Sequence, residues 1–244
     1  MTTDIATLHV ESTSDDSHFQ LPSGYERWVH FGANWTMVIS PYLTLYFIMV
    51  IALGAGGDNS NNMDALLKTA GSSPISYIAV VFLDGLFHAL VFITFVALFA
   101  SLRESFPVQA NLILVCGAWQ MLMGFTKGLI ASFVFTRLGT AYLAADGALQ
   151  AAFIPTGIAM DSLRNALQWM DSLGVMFVWI LVSLLPQSTH LPRSVRWLGW
   201  IMAFGILVPE WIFPGFVLVI LLSPPWLFML GRWMKRLTLN PTPT

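Results

Sequence analysis

Charged residues are scarce in this sequence. They make up 10% of its 244 residues, whereas about 25% of a typical soluble domain is charged. This scarcity argues against a water-soluble domain. The formal net charge is only −2, and the largest basic group is the trio Arg232, Lys235 and Arg236. A nucleic-acid-binding function is therefore excluded, because proteins of that class carry a strong positive field.

Cysteine is almost absent, and the first residues do not have the pattern of a secretory signal. Cys116 is the single cysteine, so an intrachain disulfide cannot form and cysteine usage does not indicate a compartment. The N-terminal segment is acidic, whereas a secretory signal has a basic start and a short apolar run. We expect a mobile acidic tail over 1–24, a single transmembrane helical domain over 25–236 and a short C-terminal tail over 237–244.

What the sequence has in abundance is long apolar runs. Hydrophobic residues make up 56% of the chain, and the mean hydropathy is +0.71. A membrane-spanning helix needs about 20 mostly apolar residues. Six segments approach that length: Ala33–Leu53, Ile75–Leu102, Gln109–Phe135, Gly157–Leu185, Val195–Trp211 and Gly215–Trp233. We therefore predict an all-α polytopic transmembrane helix bundle of about six spans.

Proline and glycine indicate where these segments begin and end. Ser73-Pro74 is a helix-start signal before the second segment, and Pro107 marks a turn before the third. A Gly/Asn/Asp loop is expected over Gly54–Asn59. A longer loop is expected over Arg137–Pro155, with an interfacial helix at Ala141–Phe153.

The last two segments are short and interrupted by Pro209, Pro214, Pro224 and Pro225. Proline is tolerated in a spanning helix where neighbouring groups satisfy the freed backbone. We favour two spans joined by a tight turn at 212–215. A re-entrant hairpin is the alternative.

The basic residues predict the orientation in the membrane, because cytoplasmic loops carry an excess of Lys and Arg. With six spans, one side of the membrane carries seven basic residues and the other carries three. The seven are Arg27, Arg103, Arg193, Arg196, Arg232, Lys235 and Arg236; the three are Lys68, Arg137 and Arg164. Both termini are therefore expected in the cytoplasm.

Several ionisable residues fall inside the apolar segments. Charged groups in a bilayer are costly, so each of them is a candidate functional residue. They are Asp84 and His88 in the second segment, Lys127 in the third, Asp171 in the fourth and Glu210 at the end of the fifth.

Asp84 and Lys127 each lie about nine residues from the outer end of their predicted segment. At about 1.5 Å per residue both lie about 13 Å deep, so we expect the two side chains to form an ion pair. His88 lies one turn below Asp84 on the same helix face.

The fourth segment carries a polar stripe. Asp161, Arg164, Gln168 and Asp171 have offsets of 0, 3, 7 and 10, which places them on one helix face. On the third segment Gly117, Gly124 and Gly128 form a seam that permits close helix packing, flanked by Gln120 and Lys127. The polar residues therefore gather in the outer half of the bundle, which predicts a polar cavity open to the extracytoplasmic side.

Each feature also has a purely structural interpretation. The Asp84–Lys127 pair can serve only to fix helix register, and His88 can be a hydrogen-bonded core histidine. Asp161 and Arg164 can be solvated interface residues. Glu210 can simply cap a short loop.

Short motifs near the end of the second segment and around the start of the fifth resemble those of a known family. They are Ala97-Leu98-Phe99, Leu102-Arg103, Leu191-Pro192-Arg193 and Trp197-Leu198-Gly199-Trp200. In these motifs and in helix order, Ile75–Trp233 resembles a bacterial family of six-helix membrane proteins known as a domain of unknown function. The resemblance implies six spans and a bacterial inner (plasma) membrane. It implies no activity and no site residues.

Two classes of function remain open. The first is a small-solute or proton-linked binding or transport unit, or an accessory subunit of a membrane complex. Its binding residues would be Asp84, His88, Lys127, Asp161, Arg164, Gln168 and Asp171. Carboxylates paired with histidine suit proton relays, because histidine titrates near neutral pH.

The second class is a membrane-embedded enzyme acting on a lipophilic, terpenoid- or lipid-like substrate. Asp84, Asp171 or Glu210 would be its general acid or base, and aromatic side chains would stabilise a cationic intermediate.

The sequence predicts no cofactor and no metal, although a site built from Asp84, His88 and a further carboxylate is a lesser alternative. The predicted surroundings are the lipid bilayer, and both a homo-oligomer and a larger membrane complex stay open.

Overall fold

The computed structural model describes residues 24–52, 62–207 and 215–239, and within these ranges the chain is helical with no strand. The eight α-helices are α1 (Glu26–Ala52), α2 (Met63–Ser72), α3 (Pro74–Leu102), α4 (Pro107–Leu129), α5 (Phe135–Ala144), α6 (Gly147–Ser183), α7 (Arg193–Leu207) and α8 (Gly215–Leu239). The predicted all-α class is confirmed. The expected loop Gly54–Asn59, the turn between the last two segments, Glu210 and most of both tails lie outside the described residues.

Among the described residues, three helical stretches are long and apolar enough to cross a membrane, which indicates a membrane protein. They are Pro74–Leu102, Pro107–Ala144 and Gly147–Ser183. The second is continuous because a π-helical turn, Ile130–Val134, joins α4 to α5. Its 38 residues span about 57 Å at 1.5 Å per residue. Since the apolar core of a bilayer is about 30 Å thick, this stretch extends well beyond the core.

Six of the helices form a closed ring. Neighbours pack in the order α3, α4, α6, α7, α8, α1 and back to α3. Side chains also link the neighbours to each other's backbone. Trp35 of α1 donates to the carbonyl of Leu90 on α3 at 2.8 Å, and Trp226 of α8 donates to the carbonyl of Val195 on α7 at 3.0 Å.

Proline does not break α8. Pro224 and Pro225 lie inside this helix, where proline removes backbone hydrogen bonds. Ser40 of α1 donates to the carbonyl of Pro224 at 2.7 Å, so a neighbouring helix contributes a hydrogen bond to the backbone where the two prolines lie.

The short helix α2 was not predicted. Its buried residues Met63, Leu66, Leu67 and Ala70 pack on α5 and the start of α6, where they form a second hydrophobic cluster, separate from that of the ring. Gly71 and Gly139 allow close contact, because a Cβ on either glycine would overlap the other helix's backbone. We call α2, α5 and the first turns of α6 the cap.

One edge of the cap carries a polar contact. Lys68 donates to Asp64 at 2.7 Å, one turn apart on α2, and Tyr142 of α5 donates to the other carboxylate oxygen. The hydrogen bond from Lys68, followed by that from Tyr142, lowers the pKa of the Asp64 carboxyl. Asp64 in turn raises the pKa of Lys68.

The predicted loop Arg137–Pro155 and its interfacial helix Ala141–Phe153 are wrong. The third helical stretch continues to Ala144, and α6 begins at Gly147, so the chain breaks only at residues 145–146. Ala145 is extended (ψ 155°), and the Asp146 side chain caps α6 by accepting from the Leu149 amide at 3.0 Å. The packing of α2 on α5 stabilises the helix in this part of the chain. Pro155 is accommodated inside α6.

Candidate functional site

The candidate site lies where α3, α4 and α6 pack together. Eight residues on one face of α3 follow each other at alternating spacings of four and three positions: Tyr77, Val81, Asp84, His88, Val91, Phe95, Leu98 and Leu102. This spacing keeps side chains on one seam of a helix that faces a partner. The apolar members at the two ends belong to the cap cluster and the ring cluster. The polar members therefore form a layer between two apolar cores.

Glycine lets the helices approach each other at this layer. A Cβ at Gly128 of α4 would come within 2.6 Å of the Gly85 Cα on α3, and one at Gly124 would overlap the His88 ring. The predicted glycine seam is confirmed as the packing surface of α4 on α3. It explains how polar side chains from two helices meet across a short distance.

The predicted ion pair is present. Nζ of Lys127 lies 2.7 Å from Oδ2 of Asp84, and it also donates to Oε1 of Gln168 at 2.7 Å. The predicted depth of Lys127 was counted from a wrong helix end, because the helix that carries Lys127 continues past Phe135 to Ala144. The predicted pair is nevertheless correct. The pair is instead fixed by the contact between Gly85 and Gly128.

His88 lies between the carboxylates of Asp84 and Asp171. Its Nε2 is 3.7 Å from Oδ1 of Asp84, and its Nδ1 is 3.2 Å from Oδ1 of Asp171. Nδ1 also contacts Nε2 of Gln120 at 2.5 Å. Gln120 was not predicted as a site residue, although its position on the glycine seam of α4 gave a signal.

Asp171 completes the cluster from α6. It is 2% exposed, and its Oδ2 lies 3.9 Å from Nζ of Lys127. Each of the two carboxylates therefore faces both Lys127 and His88. We call Asp84, His88, Lys127 and Asp171 the four-residue network. It joins three helices and contains two acidic and two basic groups.

The other half of the predicted polar stripe forms a separate pair. Nη2 of Arg164 lies 2.7 Å from Oδ1 of Asp161, which is buried. The Arg164 guanidinium also lies over the Phe135 ring at 5.9 Å from its centroid. Gln168 connects the two halves of the stripe, because it lies between them on α6 and contacts Lys127.

Two cavities meet at the four-residue network. The ring cavity has a volume of about 240 Å³ and is lined by residues from all six helices of the ring. Its polar end contains the network and Gln120, and its other end contains aromatic side chains such as Phe95, Trp179 and Trp226. The cap-side cavity has a volume of about 160 Å³ and extends past Arg164 and Asn165. Both cavities are lined by Tyr46, Asp84, Lys127 and Gln168.

Among residues 24–52, 62–207 and 215–239, no group of three or more His, Cys, Asp or Glu side chains is arranged to hold a metal ion. Glu210, the third catalytic candidate, lies outside these ranges. The four side chains of the network lie close enough to exchange protons and hydrogen bonds with one another.

Comparison with protein-family models, with curated proteins and with solved structures finds no match to this chain. The resemblance to a bacterial six-helix family therefore stays a prediction.

Proposed function

We propose that this chain is a six-span protein of a bacterial inner membrane that binds a small solute at the four-residue network and links that binding to protonation. The six spans would be the helices of the ring. The cap would then stand at the extracytoplasmic surface, and the cap-side cavity would be the entrance to the network.

The distribution of charge supports this orientation. Tyr25, before α1, contacts Arg103 at the end of α3 through a hydrogen bond of 2.5 Å, and Trp233 of α8 donates to Thr189, before α7, at 2.9 Å. These contacts bring the termini of these helices together on one side of the bundle, and the same termini carry the seven basic residues. Basic residues concentrate on the cytoplasmic side of membrane proteins.

The position of the network between the two cavities is the observation that carries the proposal. A purely structural ion pair needs no cavity, and packing would normally surround it. Here Asp84 and Lys127 line both cavities, so a solute in either cavity can reach the charged groups. Ligand sites characteristically combine an apolar wall with a few convergent polar groups.

Protonation would alter the charge of this site. With His88 neutral, the two carboxylates and Lys127 sum to −1, and with His88 protonated the network is neutral. Since an uncompensated charge in a membrane is costly, the charge of a bound solute and the protonation of His88 would be coupled.

The proposal is tested by what co-purifies with the full-length protein after gentle solubilisation. Mass spectrometry of wild type should detect a small molecule in near-stoichiometric amount. The near-isosteric Asp171→Asn variant should lose it at least tenfold, and the exposed control Arg236→Ala should retain it. Equal retention by both variants would contradict binding at the network. A fixed set of partner proteins without a small molecule would favour the accessory-subunit function instead.

The aromatic end of the ring cavity also suits the alternative function, a membrane enzyme with a lipophilic substrate. We rank it second because Lys127 faces both Asp84 and Asp171, and a nearby cation favours the ionised carboxylate, which cannot act as a general acid. A co-purified molecule that the wild type converts and Asp171→Asn leaves unchanged would favour the enzyme.

A further inference from the structure

Two buried oxygen atoms of residues that line the ring cavity accept no hydrogen bond. Oε1 of Gln120 and Oδ1 of Asp171 are both buried and without a hydrogen bond, and each residue is only 2% exposed. Nδ1 of His88 is contacted by Gln120 at 2.5 Å, so its approach to Asp171 at 3.2 Å does not also satisfy that carboxylate oxygen. A buried polar atom left unsatisfied is costly. Two such atoms in one cavity indicate a missing donor.

The charges around His88 show which kind of donor would fit. His88 faces Asp84 on its own helix, Gln120 on α4 and Asp171 on α6. Lys127 of α4 lies beside both carboxylates. On α1, Tyr46 lines the cavity together with Asp84. The residues of α7 and α8 that line the cavity within the described ranges are uncharged. With neutral His88, the cavity therefore lacks one positive charge.

The remaining wall of the cavity is apolar and aromatic. Phe87, Phe95, Trp179 and Trp226 line it together with aliphatic side chains. Aromatic faces attract cations, most strongly when both are removed from water. The volume of about 240 Å³ lies just below the range of about 300–1,000 Å³ for ligand pockets, so the occupant must be small.

We infer that the ring cavity binds a small lipophilic amine as its ammonium ion, which donates to Gln120 and Asp171 and competes with a proton on His88. The inference rests on the proposed function and specifies its solute. An ammonium ion has N–H donors for both acceptors and the single positive charge that the cavity lacks. When it enters, the proton on His88 leaves to bulk water, and the charge of the site is unchanged.

The test uses the full-length protein in lipid nanodiscs and tritiated 2-phenylethylamine as the probe. The probe should bind saturably. Its displacement should need an at least tenfold higher concentration of 2-phenylethanol, which has the same ring without the charge, than of unlabelled amine. The anion 3-phenylpropionate should not displace it. Gln120→Met, which keeps the volume and removes the acceptor, should weaken amine binding at least tenfold, whereas Arg236→Ala should leave it unchanged.

The number of protons released per amine bound tests the competition with His88 directly. This number should be near zero at a pH where His88 is neutral and should approach one at a pH where His88 is protonated. The His88→Gln variant should release no protons at either pH. Equal displacement by the alcohol, preferred binding of the anion, or no saturable amine binding would overturn the inference. The co-purification test of small-solute binding would still decide the proposed function separately.

Discussion

Replacing Lys127 should destabilise the bundle strongly. In Lys127→Met the side-chain volume is nearly kept, but Asp84 loses the ammonium that lies 2.7 Å away. Removing one partner of a buried ion pair costs about 3–5 kcal/mol. The Asp84 side chain is 24% exposed while that of Lys127 is 8% exposed, so water can partly solvate the remaining carboxylate. We therefore expect the lower end, about 3 kcal/mol.

Thermal unfolding in detergent, followed by tryptophan fluorescence, measures this loss. For a protein of this size about 3 kcal/mol corresponds to a fall in Tm of about 6–12 °C. The exposed control Arg236→Ala should shift Tm by no more than the effect of about 0.5 kcal/mol expected for a surface substitution. Adding Asp84→Asn to Lys127→Met should restore part of the stability, with a coupling of about 1–3 kcal/mol. Equal Tm values for Lys127→Met and Arg236→Ala, or no recovery in the double variant, would refute the buried pair.

Three further predictions concern the glycine seam, the cap and the orientation. Gly128→Ala should destabilise the protein by about 1–3 kcal/mol through overpacking, because its Cβ would meet Gly85. The control Gly147→Ala, where no atom lies within 4 Å, should have little effect on chemical unfolding. The lowered pKa of Asp64 stabilises α2 fully above about pH 4, and this contribution is lost as pH falls through the lower folded pKa. The protection factors of α2 amides against hydrogen exchange should therefore fall in acid, but without this pH dependence in Asp64→Asn. Finally, a cysteine at exposed Ser162, in a Cys116→Ser background, should react with impermeant thiol reagents from outside the cell, and labelling only from the cytoplasm would overturn the orientation.

The polar layer was predictable because it combines two signals. Ionisable residues are rare in apolar helices, and on α6 they recur with the helical period. These two facts brought Asp84 and Lys127 together before any coordinates, and they also assigned Gln168 and Asp171 to the same face. Gln120 carried the same signal, since it alternates with glycine on the α4 seam, but as an uncharged residue it did not stand out.

The cap could have been predicted in part. Met63, Leu66, Leu67 and Ala70 follow the i, i+3, i+4, i+7 spacing of an amphipathic helix, and Asn62 caps it by accepting from the Ala65 amide at 3.1 Å. Its partner, α5, could not be predicted in this way. The helical state of α5 depends on packing against α2, and such tertiary contacts override local propensity.

The order of helices around the ring also goes beyond what one sequence contains. Hydrophobicity identifies apolar segments, but it does not determine which segments become neighbours. That choice depends on shape, such as the close contact of Gly231 on α8 with Ala33 and Met37 on α1. It also depends on single hydrogen bonds between helices, which have no periodic signature.

A solid-state NMR distance between ¹⁵N-lysine and ¹³C-carboxyl aspartate tests most directly whether charged side chains from separate helices meet in this bundle. Lys68→Arg removes the lysine that pairs with Asp64 in the cap. In this background, strong Nζ–carboxyl dephasing should remain, because Nζ of Lys127 lies 2.7 Å from Oδ2 of Asp84, and it should fall sharply on Asp84→Asn. Absence of dephasing in the Lys68→Arg protein would mean that Lys127 and Asp84 do not meet.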